Sequence, residues 1–279
     1  MTEPSGPPRR TADRLWTVIE RELVAAVRTR SYALLSIALL LIVVGVARVG
    51  GGPSGGYVPT VVDVLVVVEV LVPAVAFAVG YRAVVDARER GELAVLETYP
   101  LPPWAYVIGV YTGRAIALLV VVLGPLVVLG IHVATTAGPE TTVFASHRGV
   151  DSPLLYVRFL SLTALLALVS LAVALALSAV AGSRRRAIVL GLVGVAAVVA
   201  GFDLLVVTGL GAGFVGESGL GATLAFTPAG AFRGIVFQQV LSVAFESHSG
   251  FVPAWIAVGS LLTWTVGALS VAVAAVAYR

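Results

Sequence analysis

Three carboxylates interrupt long apolar stretches of the sequence, and their residue types and positions make them the best candidates for a functional role. Asp63 and Glu69 lie in one stretch, with Glu69 near its middle, and Asp203 lies in another. An ionisable side chain inside a membrane-spanning helix is costly, so it usually pairs with another group or lines a polar pathway. We therefore predict that Asp63, Glu69 and Asp203 line a translocation path or a seam between subunits. The alternative is a protonated or hydrogen-bonded carboxyl within a contact between helices.

The sequence offers no pattern typical of catalysis or of metal binding. There is no cysteine, and the three histidines, His132, His147 and His248, lie far apart without the spacing of metal ligands. No P-loop glycine motif is present, so the chain alone is not expected to hydrolyse ATP. We predict a protein that is not itself an enzyme and that holds no cofactor and no metal. An intramembrane enzyme, the alternative, would need convergent polar groups in the apolar stretches.

Long apolar helices are the elements that must position the carboxylates. Of the 279 residues, 59% are hydrophobic and 12% are charged, whereas soluble domains carry about 25% charged residues. Crossing the hydrocarbon core takes roughly 20 apolar residues, and open strands cannot cross it because their edges would stay unsatisfied. We predict an all-α membrane protein whose residues 1–279 form a single transmembrane domain. Its six predicted spans cover residues 32–47, 58–81, 106–133, 154–181, 187–210 and 253–278.

The distribution of arginine predicts the orientation. All 18 basic residues are arginines, and cytoplasmic loops carry an excess of basic residues. With six spans, 14 arginines fall on the side of the two termini, and the other side has only Arg48, Arg148, Arg158 and Arg233. We predict a multi-pass protein of the cell membrane with both termini in the cytoplasm.

Two segments outside the spans have helical periodicity. The periodicity of residues 11–31 predicts an amphipathic helix at the membrane surface, with Arg14, Arg21 and Arg28 on its polar face. The alternative is a simple stop before the first span. Residues 211–252 are predicted to form a long extracytoplasmic loop. Within it, the periodicity predicts a short interfacial or re-entrant helix near residues 228–243. An ordinary packed loop is the alternative. The apolar face of this N-terminal helix is predicted to comprise Leu15, Trp16, Ile19, Leu23, Ala26 and Val27.

The cytoplasmic loop at residues 82–105 has an ordered composition. Dense charge extends to Glu92, residues 91–98 form a short amphipathic segment, and three prolines then end any helix. Charge, an amphipathic turn and rigid prolines in this order favour docking to a partner. The alternative is a solvated charged loop. The prolines are Pro100, Pro102 and Pro103.

Residues 86–102 read Asp-Ala-Arg-Glu-Arg-Gly-Glu-Leu-Ala-Val-Leu-Glu-Thr-Tyr-Pro-Leu-Pro. This segment resembles the signature loop of type-2 ABC transporter permeases, in which a run similar to Arg-Glu-x-Gly-Thr-Leu-Glu-x-Leu-Leu precedes a proline-containing turn. Residues 20–31, Glu-Arg-Glu-Leu-Val-Ala-Ala-Val-Arg-Thr-Arg-Ser, resemble the elbow helix of the family. The sequence departs from the family pattern in having Glu92 where threonine is common, and Gly-Val-Tyr-Thr-Gly at residues 109–113 where Gly-Lys is common.

The resemblance implies the permease subunit of an ABC transporter, of the exporting type, with an unidentified substrate. It implies two copies of a cytoplasmic ATPase subunit, a second permease copy forming a homodimer, surrounding membrane lipids, and no nucleic acid. The length, the six spans and the extended last outer loop are also similar to permeases of nitrous-oxide-reductase maturation exporters. In the family, the loop between the second and third spans holds a coupling helix that docks on the ATPase. The implied coupling residues are Asp86, Glu89, Arg90, Glu92, Leu93 and Leu96.

A stand-alone secondary transporter is the competing function. Such proteins often contain internal repeats with helices broken near the middle of the membrane. No clear repeat relates the first three predicted spans to the last three. Uptake that is coupled to an ion gradient and needs no ATP would favour this alternative.

Overall fold

All regular structure in the described part of the chain is helical. The computed structural model describes residues 11–92, 101–137, 151–214, 220–244 and 254–278, with the backbone alone at 220, 243 and 244. A π-helical turn, Ala197–Gly201, interrupts the helical segment Arg184–Gly211, and a 3-10 turn, Leu241–Ala244, follows the helix Pro228–Gln239. The helices are α1 (Thr11–Arg28), α2 (Arg30–Gly50), α3 (Gly52–Gly55), α4 (Tyr57–Gly80), α5 (Val85–Glu89), α6 (Pro103–Thr136), α7 (Pro153–Val180), α8 (Arg184–Ala196), α9 (Phe202–Gly211), α10 (Leu220–Leu224), α11 (Pro228–Gln239) and α12 (Ala254–Ala277).

Six of the described helical segments are long and apolar enough to cross a membrane. The spans in chain order are α2, α4, α6, α7, the segment α8 to α9, and α12. The prediction of an all-helical protein with six spans is therefore confirmed. The segments that meet the criteria of length and hydropathy are Arg30–Gly50, Tyr57–Glu89, Pro103–Thr136, Pro153–Val180, Arg184–Gly211 and Ala254–Ala277.

The fourth span, α7, is the central helix of the bundle. It contacts the second, third, fifth and sixth spans as well as α11. Small residues permit these close contacts: a side chain at Gly80 of α4 would meet Ala174 of α7, and one at Gly130 of α6 would meet Tyr156 of α7. Small residues at such contacts let helices pack closely in lipid, where hydrophobic burial contributes little. The interior of the bundle is therefore organised around α7.

The N-terminal helix α1 packs along the third span, α6. A side chain at Gly109 would lie 2.8 Å from Val18, and one at Gly113 would lie 2.6 Å from Glu22, so the two glycines let the helices approach closely. The unusual Gly-Val-Tyr-Thr-Gly run at residues 109–113 thus has a packing role.

The predicted apolar face of α1 is divided between two environments. Ile19 and Ala26 are buried in the chain, whereas Trp16 and Val27 are 63% and 88% exposed. A helix that packs on α6 along one side can present Trp16 and Val27 to lipid on another. Its location at the membrane surface stays a prediction.

Polar caps define the ends of several spans. Asp151 accepts hydrogen bonds from the backbone N–H groups of Tyr57, at 2.7 Å, and Val58, at 3.0 Å. These are unpaired groups at the start of α4, which a carboxylate satisfies while also opposing the helix dipole. Asp151 therefore ties the start of the fourth span to the start of the second. Ser152 and Ser183 cap α7 and α8 in a similar way through their own hydroxyl groups.

A 12-residue helix, α11, forms within the region where the periodicity predicts a short helix. Phe232, Ile235 and Val236 are buried, and α11 packs against α7 and α12. Its extracytoplasmic, re-entrant position stays a prediction.

Most of the predicted coupling segment at 91–98 lies outside the described residues, as do His147 and His248.

Candidate functional site

A cluster of charged side chains joins α11 to two of the spans. The Arg233 guanidinium on α11 donates to both carboxylate oxygens of Glu69 on α4, with its Nε 3.2 Å from Oε2. A terminal nitrogen of Arg233 also lies 3.3 Å from a carboxylate oxygen of Asp203 on α9. The hydroxyl of Thr227 donates to the other oxygen of Asp203. The structure therefore brings together two of the three predicted carboxylates, Glu69 and Asp203, through a single arginine.

Special features of the helices accompany Glu69, Asp203 and Thr227. Pro73 lies four residues after Glu69 inside α4 and has no N–H, so the Glu69 carbonyl lacks its usual helical partner. The π-helical turn Ala197–Gly201 ends two residues before Asp203, and such turns in α-helices are frequent at functional sites. Thr227 is the N-cap of α11 and also accepts from the backbone N–H of Gly230 at 3.0 Å. These features set the cluster apart from an ordinary packed contact between helices.

Burial of the cluster is graded from Glu69 outwards. The side chains of Glu69, Asp203 and Arg233 are 6%, 16% and 43% exposed. A buried carboxylate needs a charged, hydrogen-bonded partner, and the bidentate contact with arginine supplies one. Arginine stays protonated and has five N–H donors. Three donors of Arg233 are used here, and the two on its remaining terminal nitrogen make no bond within the described part of the chain.

Asp63 has a different environment from Glu69 and Asp203. Its carboxylate accepts from the backbone N–H of Gly52 at 2.8 Å and holds the link between the first two spans. Side chains at Gly50 or Gly52 would collide with this carboxylate at 2.3–2.5 Å, which explains two of the glycines in the link. Among the described residues, Asp63 takes no part in the Arg233 cluster. Its role in a translocation path stays a prediction.

Sequence reasoning did not identify Arg233 and Thr227 as members of the site. Arg233 is separated from Glu69 by 164 positions, and the arginine count assigns it to the outer side of the membrane. A signal was present, because Arg233 follows Phe232 inside a helical repeat of apolar residues. An arginine beside such a repeat, in a chain with buried carboxylates, is a candidate partner for them.

The predicted coupling residues that are described take part in contacts within the chain. Glu89 accepts from the backbone N–H of Arg184 at 2.8 Å and so holds the start of α8. Glu92 pairs with Arg90 at 2.7 Å and with Arg21 of α1 at 3.2 Å. Asp86 is half-buried in the first turn of α5, and Leu93 and Leu96 lie outside the described residues.

The Arg21 guanidinium remains a cation in this network. Burial lowers the pKa of Arg21, whereas the neighbouring Glu22 and Glu92 carboxylates contribute to a larger opposite effect. The pKa of Arg21 is therefore raised overall. The loop between the second and third spans is thus joined to α1 by charge and to α8 by a helix cap.

Two further contacts anchor α5 to the end of the central helix. Arg88 donates to the carbonyls of Ala181 and Ala179 at 2.6 Å and 2.9 Å. The hydroxyl of Ser178 accepts from the backbone N–H groups of Val84 and Val85 at 3.0 Å and 3.2 Å. These four hydrogen bonds tie the loop to the end of α7.

Six apolar spans, a charged cluster between them and a braced loop at one end define a multi-pass membrane protein. No model of a known protein family matches the chain. The chain is 30% identical over 181 residues to a Pseudomonas aeruginosa protein named "Probable ABC transporter permease protein NosY". The match covers 62% of this chain and 62% of that protein.

A protein of the same name from Stutzerimonas stutzeri is 29% identical over 116 residues, which are 40% of this chain and 42% of that protein. Both relatives bear the name of an ABC transporter permease. The resemblance to ABC transporter permeases, predicted from the loop at residues 86–102, is confirmed.

Proposed function

We propose that the chain is the membrane-spanning permease subunit of an ABC exporter, which moves a substrate with ATP hydrolysed by a separate subunit. The observation that carries this proposal is the similarity to two proteins named as probable ABC transporter permeases, over 62% and 40% of the chain, together with the loop that resembles the family signature. The working unit is a homodimer of permeases with two ATPase subunits in the cell membrane. Both termini and the loop at residues 82–105 face the cytoplasm.

Coupling to the ATPase uses the loop between the second and third spans. Asp86, Glu89, Arg90 and Glu92 form its charged part, and Leu93 and Leu96 supply apolar docking contacts. The bonds from Arg88 to the end of α7 support this role, because α7 contacts four other spans. A push on the loop is carried to the central helix without passing through a flexible linker.

The translocation path runs beside the cluster of Glu69, Arg233 and Asp203. Glu69 is twelve residues from the start of α4, which is about 18 Å along the helix axis, so the cluster lies near the middle of the second span. The two free donors of Arg233 would face that path. Contact between Arg233 and the middle of α4 also supports a re-entrant position for α11. Asp63 contributes at the outer end of the path.

Charge reversal at Glu92 tests the docking role. We expect the chain, purified from native membranes in mild detergent, to bring with it an ATPase subunit that hydrolyses ATP. In Glu92→Arg, the recovered ATPase activity should fall at least tenfold, since like charges placed in an interface cost several kcal/mol. Glu20→Arg, which reverses an exposed charge on α1 outside the loop, should change little.

The internal pair between Arg21 and Glu92 requires a second variant. The swap Arg21→Glu with Glu92→Arg restores opposite charges between positions 21 and 92, whereas it still reverses the charge at position 92 and removes the pair with Arg90. We expect the swap to remain deficient in ATPase recovery. Full recovery in the swap would assign Glu92 to internal bracing alone. A wild-type chain that purifies without ATPase activity would contradict the proposed function.

A further inference from the structure

An apolar groove lies beside the turn between α1 and α2, with α6 forming its opposite wall. Its volume is about 570 Å³, within the range of about 300–1,000 Å³ typical of ligand sites. Val27 is 88% exposed and Val120 is 69% exposed in the chain by itself. The apolar walls of the groove include Leu23, Val27, Ala33, Ile116, Ala117 and Val120.

The rim of this groove is cationic. Arg28 ends α1 and Arg30 begins α2, and both line the groove and are exposed. Neither guanidinium has a hydrogen bond or an ion pair with the described part of the chain. The positive end of the α2 dipole lies at the same rim, where Thr29 provides no side-chain cap. Two free arginines at the mouth of an apolar groove are complementary to an anionic amphiphile.

The groove extends from the rim towards the hydrocarbon core. Ser36, the last groove residue on α2, lies six positions after Arg30, which is about 9 Å along the helix. Since α2 is a membrane span, this direction is the one that a lipid acyl chain takes. The charged rim then lies at the depth of lipid headgroups, where basic residues attract anionic lipids.

We propose that this groove is a binding site for one anionic phospholipid of the leaflet on the side of the N-terminus. The lipid phosphate binds Arg28 and Arg30, and one acyl chain packs against Ala33, Ala117 and Val120. The bound lipid would fill the space between α1 and the spans and so fix the position of α1. This inference does not depend on the proposed transport function.

Native mass spectrometry of the full chain in detergent, titrated with phosphatidylglycerol or phosphatidylcholine, tests the site. We expect phosphatidylglycerol to bind more tightly than phosphatidylcholine. The double variant R28Q/R30Q should weaken phosphatidylglycerol binding about 25-fold, since each basic residue near a membrane surface contributes roughly a factor of five. The matched control R185Q/R186Q removes two exposed arginines outside the groove and should bind as the wild type does.

A second variant tests the apolar part without changing charge. Ala33→Phe fills the groove from an exposed position on α2 and should weaken phosphatidylglycerol binding severalfold. An equal loss in R185Q/R186Q would overturn the proposal, because it would indicate general attraction to a basic surface. Equal binding of the two lipids, or unchanged binding in both groove variants, would also overturn it. If R28Q/R30Q instead separates a dimer without affecting lipid binding, the groove is a contact between copies of the chain, and the lipid site is wrong.

Discussion

Replacing Arg233 with methionine is expected to destabilise the protein by about 3 kcal/mol, the lower end of the cost of breaking a buried ion pair. The change leaves the carboxylate of Glu69, whose side chain is only 6% exposed, without its bidentate partner. The lower end applies because Arg233 itself is 43% exposed, so the protein does not fully enclose the ion pair. Thermal unfolding of the purified chain measures the effect. Arg48→Met, at an exposed arginine of the first span, is the control and should unfold almost as the wild type does.

A double variant separates folding from function at the same cluster. Glu69→Leu combined with Arg233→Met removes both charges and should regain most of the lost stability, because apolar pairs replace buried ion pairs well. Asp203 keeps its hydrogen bond from Thr227 in this variant. We expect ATP hydrolysis by the purified complex to stay low although the fold is restored. Full activity in the stable double variant would assign the cluster to structure alone.

Replacing Gly113 with leucine is expected to separate α1 from the third span. A Cβ at this position would lie 2.6 Å from the Cβ of Glu22 and 3.0 Å from the carbonyl oxygen of Ile19, so the helices must move apart. Overpacking of this kind costs about 1–3 kcal/mol. The displacement would also break the ion pair between Glu22 and Arg114, whose atoms are 2.9 Å apart and whose side chains are largely buried.

Gly124 provides a matched control for Gly113 on the same helix. A side chain at Gly124 meets nothing within 4 Å, and leucine is a better helix former than glycine. Thermal unfolding should show a clear loss for Gly113→Leu and none for Gly124→Leu. Equal behaviour of the two variants would contradict close packing of α1 on α6.

The spans could be predicted from the sequence because lipid leaves few alternatives. An uninterrupted apolar run of sufficient length must form a helix, so hydropathy alone locates the second span around Asp63 and Glu69. The π-helical turn Ala197–Gly201 could not be predicted in this way. Its five residues are as apolar as their neighbours, and the change in hydrogen-bond register depends on packing against other helices.

The partners of the buried carboxylates could not be predicted from the sequence. The cost of burying Glu69 and Asp203 indicated that each needs a partner, but not which residue provides it. Arg233 lies in a segment whose hydropathy assigned it to an outer loop, and only tertiary packing brings it to the middle of the second span. Asp63 has the same residue type as Asp203 but instead binds the backbone of Gly52. Residue type and depth therefore predict which carboxylates are candidates for a functional site, whereas their partners depend on tertiary packing.

The loop between the second and third spans was recognised by its residues rather than by periodicity. Its charged residues also make contacts within the chain, since Glu89 caps α8 and Glu92 pairs with Arg21. A sequence motif does not distinguish such internal contacts from docking contacts, because both require exposed or half-exposed charge. The swap of Arg21 and Glu92 is designed to make this distinction.

The side of the membrane on which this loop lies is the most direct test of the account. The chain has no cysteine, so single cysteines at Arg90, in the loop, and at Thr135, near the other end of the third span, can be labelled without background. We predict that an impermeant maleimide labels Arg90→Cys only in inverted vesicles and Thr135→Cys only in intact cells. Labelling of Arg90→Cys only from the external medium would remove the loop from the reach of any cytoplasmic ATPase and contradict the proposed permease.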